Sequence, residues 1–323
     1  MSKKILITGI SGFIGKHTAR LALESKKAEI TGMIRPGTNP SRVNEFNEKI
    51  KFAEIDLTDI PTLRNYLKDN NFDVIIHIGA LRGGRKNSNH DFLLANVNST
   101  EQFIINAQQN NSKLIFCSSV GVFGAIPSEL PANNHTKRRE DNYYHKTKIY
   151  AENLIQKYVL YGLNAAVIRP AITYGIGDYG FPFTLTKLVE KKLMFYPNHP
   201  VHIHLTNINL LAQSFIRLAD NNFKTGVQYN IADKEPVKLS ELVNFISNEL
   251  HGCDYSRKPV PQKYFELVEK IARSAKSELW VSRLELISKS WYYETHRAYK
   301  ELQLKPTDTI PSFKLVTDWY KNK

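Results

Sequence analysis

Cysteine is nearly absent. The 323 residues include two, Cys117 and Cys253, too few for a disulfide framework or a multi-cysteine metal site, and this scarcity fits a reducing compartment. Long apolar runs are missing too. No stretch approaches the ~18 apolar residues of a membrane span. After Met1-Ser2-Lys3-Lys4 only Ile5 to Thr8 precede Gly9, too short for a signal-peptide core. A soluble, cytoplasmic protein is the expectation. Repeats and low-complexity linkers are lacking, and acids are outnumbered: 31 Asp and Glu face 44 Lys and Arg, a net +13. That balance favours anionic partners without choosing among nucleic acid, membrane surface and phosphorylated small molecules. The rest is ordinary. With 42% hydrophobic, 11% aromatic and 23% charged residues, the chain is neither disordered nor collagen-like.

Apolar runs of strand length alternate with helical patterns in the first half. Ile5-Leu6-Ile7, Glu29 to Ile34, Lys51 to Ile55, Val74 to Ile78, Leu114 to Ser118 and Ala165 to Ile168 read as strands. Phe13 to Ser25 and Asn96 to Gln109 carry apolar residues at helical spacing. Such alternation predicts an α/β fold, a parallel sheet covered on both faces. After Tyr174 the pattern loosens into Phe181-Pro182-Phe183 and Phe195-Tyr196-Pro197. From Lys238 it is mostly helical, with an aromatic group at Trp280, Trp291, Tyr292 and Tyr293. The expected arrangement is a nucleotide-binding domain over 1–175, to which 203–232 returns. A smaller, mostly helical substrate domain is expected from 176–202 and 233–323.

Thr8-Gly9-Ile10-Ser11-Gly12-Phe13-Ile14-Gly15 joins the first strand to the first helix. Glycines there allow a tight turn, backbone N–H groups close to a pyrophosphate, and close helix–strand packing, and the helix start adds partial positive charge. The spacing is G-x-x-G-x-x-G. A purely structural turn is the alternative, and the strand–turn–helix context favours nucleotide binding. Some 20 residues on, where an acid would accept from a free ribose 2′-OH, stands Arg35. Its charge suits a 2′-phosphate and favours NADP over NAD, with a solvated loop arginine as the alternative. Asp56, beside Leu57, is placed either to accept from the adenine amino group or to cap a helix with Thr58 and Asp59.

Tyr144 and Lys148 lie four residues apart, on one face of a helix. Among the sixteen tyrosines this is the one with lysine at that offset; Tyr143 has Thr147 there. An ammonium and a cationic nicotinamide favour the phenolate, and the phenol can protonate a nascent alkoxide. Ser118-Ser119 ends an apolar strand, where parallel sheets bind ligands. Ser119 can there orient a substrate oxygen, and a strand-ending turn is the plainer reading.

These residues resemble, in order and spacing, the motifs of the extended short-chain dehydrogenase/reductases, the NAD(P)-dependent epimerase/dehydratase family. The likeness covers Thr8 to Gly15, Asp56-Leu57, His77-Ile78-Gly79-Ala80, Asn96-Val97, Ser118 to Gly124, Tyr144/Lys148 and Arg169 to Gly175. Gly226 to Ile231 and Leu302 to Pro306 extend it into the tail. The resemblance implies a Rossmann-type doubly wound sheet with a variable substrate domain. It makes Tyr144 the acid/base and Ser119 the orienter. Lys148 binds the nicotinamide ribose and lowers the tyrosine pKa. Gly9, Gly12, Phe13, Ile14 and Gly15 line the pyrophosphate, Gly79, Ala80 and Pro170 lie along the cofactor, and Ile172 is near the nicotinamide. Asn96 matches a family asparagine of varying role and stays outside the catalytic set. Members often dimerise through two helices, here Asp91 to Gln109 and Tyr143 to Tyr158.

Three departures narrow the reaction. Dehydratases carry an Asp-Glu pair after the active-site hydroxyl, and here Val120-Gly121 follow Ser119. Epimerases hold the substrate diphosphate with an arginine, but Pro200 to Asn207 offers histidines, leaving the loop Arg82-Gly83-Gly84-Arg85-Lys86 as a source of charge or merely a solvated turn. Arg35, thirdly, favours an exchangeable NADP used for net redox. His202 and His204 lack acidic or cysteine partners, so packing or substrate contact is expected and a metal is not. Lys263 to Ser288 mixes apolar and basic residues that can wall a pocket, lie on a membrane surface or form a second core; the tail's likeness is to the 3β-hydroxysteroid dehydrogenase and dihydroflavonol reductase branches. No aromatic-interleaved basic groove indicates specific nucleic-acid binding. The expectation is an NADP-dependent oxidoreductase, with NAD possible, interconverting a secondary alcohol and a ketone on a small molecule, anionic or apolar. A nucleotide-sugar 4-epimerase or 4-keto reductase is the alternative, and a non-enzymatic NADP sensor a second one. Residues 256–323 hold fourteen Lys and Arg against eight Asp and Glu, which leaves part of the charge for an anionic substrate group or for solubility.

Overall fold

The computed structural model describes residues 2–24, 28–82, 87–275 and 277–323. In chain order it begins with β1 (Lys3–Thr8), α1 (Phe13–Glu24), β2 (Ala28–Ile34), β3 (Lys51–Glu54), α2 (Ile60–Asp69) and β4 (Val74–His77). Next come α3 (Asn89–Leu93), α4 (Ser99–Gln109), β5 (Lys113–Cys117), α5 (Tyr143–Val159), β6 (Ala165–Pro170), β7 (Ile172–Tyr174) and α6 (Phe181–Glu190). β8 (His202–Ile203), β9 (Leu205–Asn207), α7 (Ile208–Asp220), β10 (Val227–Ile231), β11 (Val237–Lys238) and α8 (Leu239–His251) follow. The chain closes with α9 (Gln262–Ser274), α10 (Glu278–Ser288), α11 (His296–Leu302), α12 (Thr309–Ser312) and α13 (Lys314–Lys321).

Seven strands form one parallel sheet in the order β10-β6-β5-β4-β1-β2-β3. This is the doubly wound Rossmann order with an added edge strand, and its switch point lies between β1 and β4. Period-two alternation sends side chains to two cores. Ile5, Ile7, Ile76 and Ile115 face α1 and α7, and Leu6, Ile75, Leu114 and Phe116 face α2, α4 and α5. Both faces are dry, so the strands read as nearly continuous apolar runs. Truncating Ile76 or Phe116, both 0% exposed, to alanine would cost ~2–5 kcal/mol.

The expected helix from Asn96 is interrupted: Leu94–Asn98 makes a π-turn before α4. A second core, separate from the layers on the two faces of the sheet, gathers Val120, Phe123, Leu185, Ile203, Leu242, Trp291 and Phe313 beyond the carboxyl ends of the strands. Part of the tail returns to the sheet, where Ala298, Leu302 and Leu304 of α11 and its exit pack into the α1/α7 core. Among the described residues no helix is long and apolar enough to cross a membrane.

Candidate active site and cofactor cleft

The turn after β1 is built by crowding. Gly9 has φ +71°, and a Cβ there would stand 2.8 Å from Gly79 N. At Gly15 a Cβ would run into Gly9 O and stand 2.8 Å from Ile10 Cα. Close helix–strand approach therefore demands glycine at both positions. Gly12 N donates to Gly9 O at 2.9 Å and α1 starts at Phe13, which leaves the first helical N–H groups facing a cleft of about 460 Å³.

That cleft brings together Gly9, Gly12, Phe13, Ile14, Gly15, Arg35, Asp56, Leu57, Gly79 and Ala80. Arg35 Nε lies 3.4 Å from Asp56 Oδ2. Asp56 lines the cleft and does not cap α2. Its Oδ1 closes a local turn, accepting from Thr58 N and Thr58 Oγ1 at 2.9 Å, while Oδ2 stays on the cleft side with Arg35. The cap of α2 is Asp59, which accepts from Thr62 N at 3.2 Å. Arg42, in the short turn Pro40–Arg42, also lines the cleft. The sequence reading passed over it, and its only local signal is a cation soon after the β2 end.

Beneath the cleft a buried chain of hydrogen bonds fixes the β1–β4 crevice. Gly79 N donates to Thr8 Oγ1 at 2.8 Å, Thr8 Oγ1 meets His77 Nδ1 at 2.8 Å, and His77 Nε2 meets Thr100 Oγ1 at 3.1 Å. Thr100 Oγ1 donates to Asn96 O at 2.8 Å. With each hydroxyl giving one proton, His77 must carry its proton on Nε2. Burial and the nearby Lys148 push its pKa well below the usual value, which keeps the ring neutral. Asn96 Oδ1 accepts from Leu81 N at 2.7 Å, and Nδ2 donates to Leu81 O and Thr147 Oγ1 at 3.0 Å. Asn96 thus ties the Ala80-Leu81 segment to α5.

The cleft opens into a larger pocket of about 1030 Å³, whose lining shares Ser11, Gly12, Phe13, Ile14, Arg42 and Arg82 with it. Ser119, Tyr144, Lys148, Pro170 and Ile172 all line this pocket. Ser119 caps the turn Val120–Phe123, accepting from Gly121 N at 3.0 Å; its own O–H remains to donate. α5 is capped by Asn142, which accepts from His145 N at 2.9 Å. The Tyr144 hydroxyl has no protein partner among the described residues. Tyr143 turns away and meets Phe92 edge-on, ring centres 6.0 Å apart.

Lys148 is 2% exposed. Its Nζ donates to Cys117 O at 2.7 Å and lies 4.6 Å from the Phe116 ring centre and 5.8 Å from that of Tyr144. Burial lowers its pKa to about 8, opposed first by Cys117 and least by Glu152. Burial raises Tyr144 to about 12, opposed by Arg82. Desolvation thus dominates at Tyr144, which is a protonated phenol at neutral pH.

The far wall comes from Asp178, Tyr179, Phe181, Ser282, Leu286 and Trp291; Ser282 and Leu286 fall in the stretch Lys263 to Ser288 for which a pocket wall was one expectation, and the other four were assigned to no site. Burial pushes Asp178 up to about 6. Residues 83–86 of the basic loop lie outside the described residues; Arg82 is at the pocket. His204 is packing: its Nε2 meets Asp233 O at 2.7 Å, its Nδ1 accepts from Tyr293 N at 3.2 Å, and burial lowers it to about 4. Neither His202 nor His204 lines the pocket, and no metal-holding cluster occurs among the described residues.

The family model described as NAD dependent epimerase/dehydratase family matches residues 5–194. An uncharacterised protein of Methanocaldococcus jannaschii is 25% identical over 85% of this chain and 89% of its own length. The GDP-6-deoxy-D-talose 4-dehydrogenase of Aggregatibacter actinomycetemcomitans is 27% identical over 67% of each chain. Among solved structures, the UDP-glucuronic acid 4-epimerase of Bacillus cereus in complex with NAD superposes with a TM-score of 0.76 at 18% identity, covering 99% of both chains. At that identity the likeness is one of fold.

Proposed function

Because the chain belongs to the NAD dependent epimerase/dehydratase family, we propose that it is an NADP-dependent oxidoreductase acting on a nucleotide-linked sugar. In this reading it interconverts a ring secondary alcohol and the 4-ketone, with net turnover of cofactor. Relative to the broader alcohol/ketone expectation, the relatives named above move the choice to the nucleotide-sugar side. The observation that carries it is the continuity of the two cavities. Arg35 and Arg42 line the first, and Ser119, Tyr144 and Lys148 line the second.

The residues fit a dinucleotide, since the glycine cradle leaves no room for side chains where a pyrophosphate passes. Arg35 and Arg42 take the 2′-phosphate, Asp56 the adenine side, and Lys148 the nicotinamide ribose with the two N–H bonds left beyond Cys117 O. When bound, the nicotinamide supplies or accepts the hydride. Ser119 donates to the carbonyl oxygen and holds it beside Tyr144. The Tyr144 phenol, raised to about 12 by burial, gives its proton as the alkoxide forms in reduction and takes it back in oxidation. No acid pair follows Ser119, which argues against elimination of water. The segments 1–175 and 203–232 hold the cofactor in this account, and 176–202 with 233–323 hold the sugar.

Epimerisation is the second reading, favoured by the epimerase among the structural neighbours. Stopped assays with NADPH and a nucleotide 4-keto sugar, and in parallel with NADP and the matching nucleotide 4-hydroxy sugar, whose C4 can invert, separate the two. Oxidation of NADPH in step with product supports the reductase, and sugar inversion without any change in cofactor overturns it.

A further inference from the structure

Helix α9 has a wider apolar arc than the fold covers. Phe265 and Ala272 are buried, but Tyr264, Leu267, Val268 and Ile271 are between 47% and 61% exposed. Their spacing of i, i+3, i+4 and i+7 places them in one stripe. Trp280 on α10 is exposed as well. On the other side of the same hairpin, Leu286 joins the second core and, with Ser282, lines the pocket. The stripe is therefore surplus to folding.

Cations border it. Lys263 and Lys270, seven residues apart, run along one edge, with Lys263 Nζ 5.5 Å from the Tyr264 ring centre. The Arg283 guanidinium stands 5.6 Å from the ring centre of Trp280. None of these three cations has an ion pair among the described residues. The inner acids are already matched: Glu269 and Glu285 pair with Arg273 and Lys289. Glu266 lies behind the lysine row, away from the stripe. Aromatic rings and aliphatic residues flanked by snorkelling cations are the chemistry of a lipid headgroup boundary.

We propose that the outer face of the α9–α10 hairpin docks on an anionic lipid bilayer, lying in the interface without crossing it. A second copy of the chain fits this face poorly. Two-fold pairing would bring two copies of the same cation-bordered face together, with no acid on the stripe to offset Lys263, Lys270 and Arg283. Five exposed apolar side chains also fall far short of the ~20–30 residues a side of a stable interface. An anionic surface neutralises the same cations while the stripe leaves water. The proposal stands whether or not the reaction above is right, because its readout is binding.

The test is sedimentation of the full chain with vesicles of phosphatidylcholine alone and with phosphatidylglycerol added, at low and high salt. Binding to the anionic vesicles, weakened by salt, with a blue shift of Trp280 emission that a Trp280→Phe chain lacks, is the expected result. Leu267→Ser with Ile271→Ser should lose at least ~10-fold in binding, and Lys263→Glu with Lys270→Glu should do the same. Far-UV dichroism and NADPH affinity should be unchanged in both, because every altered residue is exposed. No binding to anionic vesicles at low salt overturns the proposal, as does equal binding to both vesicle types. Binding that survives both double substitutions overturns it too, by placing the contact elsewhere on the basic surface. A dimer of the parent chain that Leu267→Ser with Ile271→Ser dissolves gives the face to a second copy and also overturns it.

Discussion

Replacing Arg35 by alanine tests the cofactor assignment most directly. In the unliganded chain the guanidinium sits 3.4 Å from Asp56 Oδ2, and the two side chains are 50% and 35% exposed. A pair of unit charges about 4 Å apart is worth ~1 kcal/mol in water and ~4 kcal/mol at an effective dielectric near 20. Half exposure puts Arg35 toward the lower bound. The contribution to a 2′-phosphate is then ~1–2 kcal/mol, or ~5–30-fold in affinity. Titrating NADPH and NADH against the parent and Arg35→Ala by quenching of intrinsic fluorescence gives four dissociation constants. NADPH should weaken by the stated factor and NADH by less than ~3-fold, since a free 2′-OH gains little from the cation. The preference should also shrink as salt rises, because this charge is exposed to screening over ~8 Å. Equal losses for the two cofactors, or a parent chain that prefers NADH, would refute the reasoning.

Tyr144→Phe keeps the ring and removes the donor, so turnover should fall ~10²–10⁴-fold with cofactor affinity unchanged; near-normal turnover would move the proton donor elsewhere. Gly15→Ala forces a methyl against the Gly9 carbonyl and Ile10 Cα, a backbone clash with nowhere to relax. We expect a loss of ~1–3 kcal/mol in stability and loss of cofactor binding, and a variant with parental Tm and affinity would sink the close-packing account. His204→Gln addresses pH. The ring is held at about 4 against an ordinary 6.5, so the unfolded chain takes the proton first as pH falls. Stability from this group is complete above pH 6.5 and declines toward pH 4, by roughly 3 kcal/mol over the window. Asp233, raised to about 6 by burial, works in the opposite sense and is present in both chains. Parent Tm should therefore drop more steeply than that of His204→Gln between pH 6.5 and 4.5, and parallel curves would show that His204 does not titrate as described.

Chemistry that needs fixed local spacing was legible in the residues alone. The turn Gly9 to Gly15 and the Tyr144/Lys148 pair each depend on a few neighbouring positions, so strand–turn–helix context and helical periodicity place them. Arg42 was not legible, because its arrival at the cleft depends on how the chain runs between Ile34 and Lys51. Asp178 and Trp291 reach the pocket from segments brought in by the second core, and no local pattern marks them. The stretch Lys263 to Ser288 had three readings, and the fold bears on two of them, core and pocket wall. Leu286 and Ile287 pack into the second core, Ser282 and Leu286 wall the pocket, and the α9 stripe faces outward. Alternation and helical period tell which side chains share a face, but only the packed neighbour tells whether that face is covered.

Helix α5 shows why a four-residue motif needs the rest of the sheet. Tyr144, Lys148 and Glu152 are spaced by four and share one face, running from the pocket into the core. Glu152 is fully buried and takes two N–H bonds from Arg169, Nε at 2.8 Å and Nη2 at 2.6 Å, with Arg138 Nη2 at 2.8 Å. Burial alone would raise its pKa, but Arg169 and Arg138 overcome this and hold it below the ordinary range. Such a pair adds little net stability, since desolvating the charges offsets their attraction. Its effect is geometric: a bidentate fork admits one register of α5 against β6. The same carboxylate lies one turn from Lys148, whose pKa burial lowers to about 8, with the charge of Glu152 only a small influence in the other direction. A Tyr and a Lys at the right interval are therefore only half of the device. The other half is a buried anion, paired across the sheet, that fixes the helix and so the height at which Tyr144 and Lys148 meet the pocket.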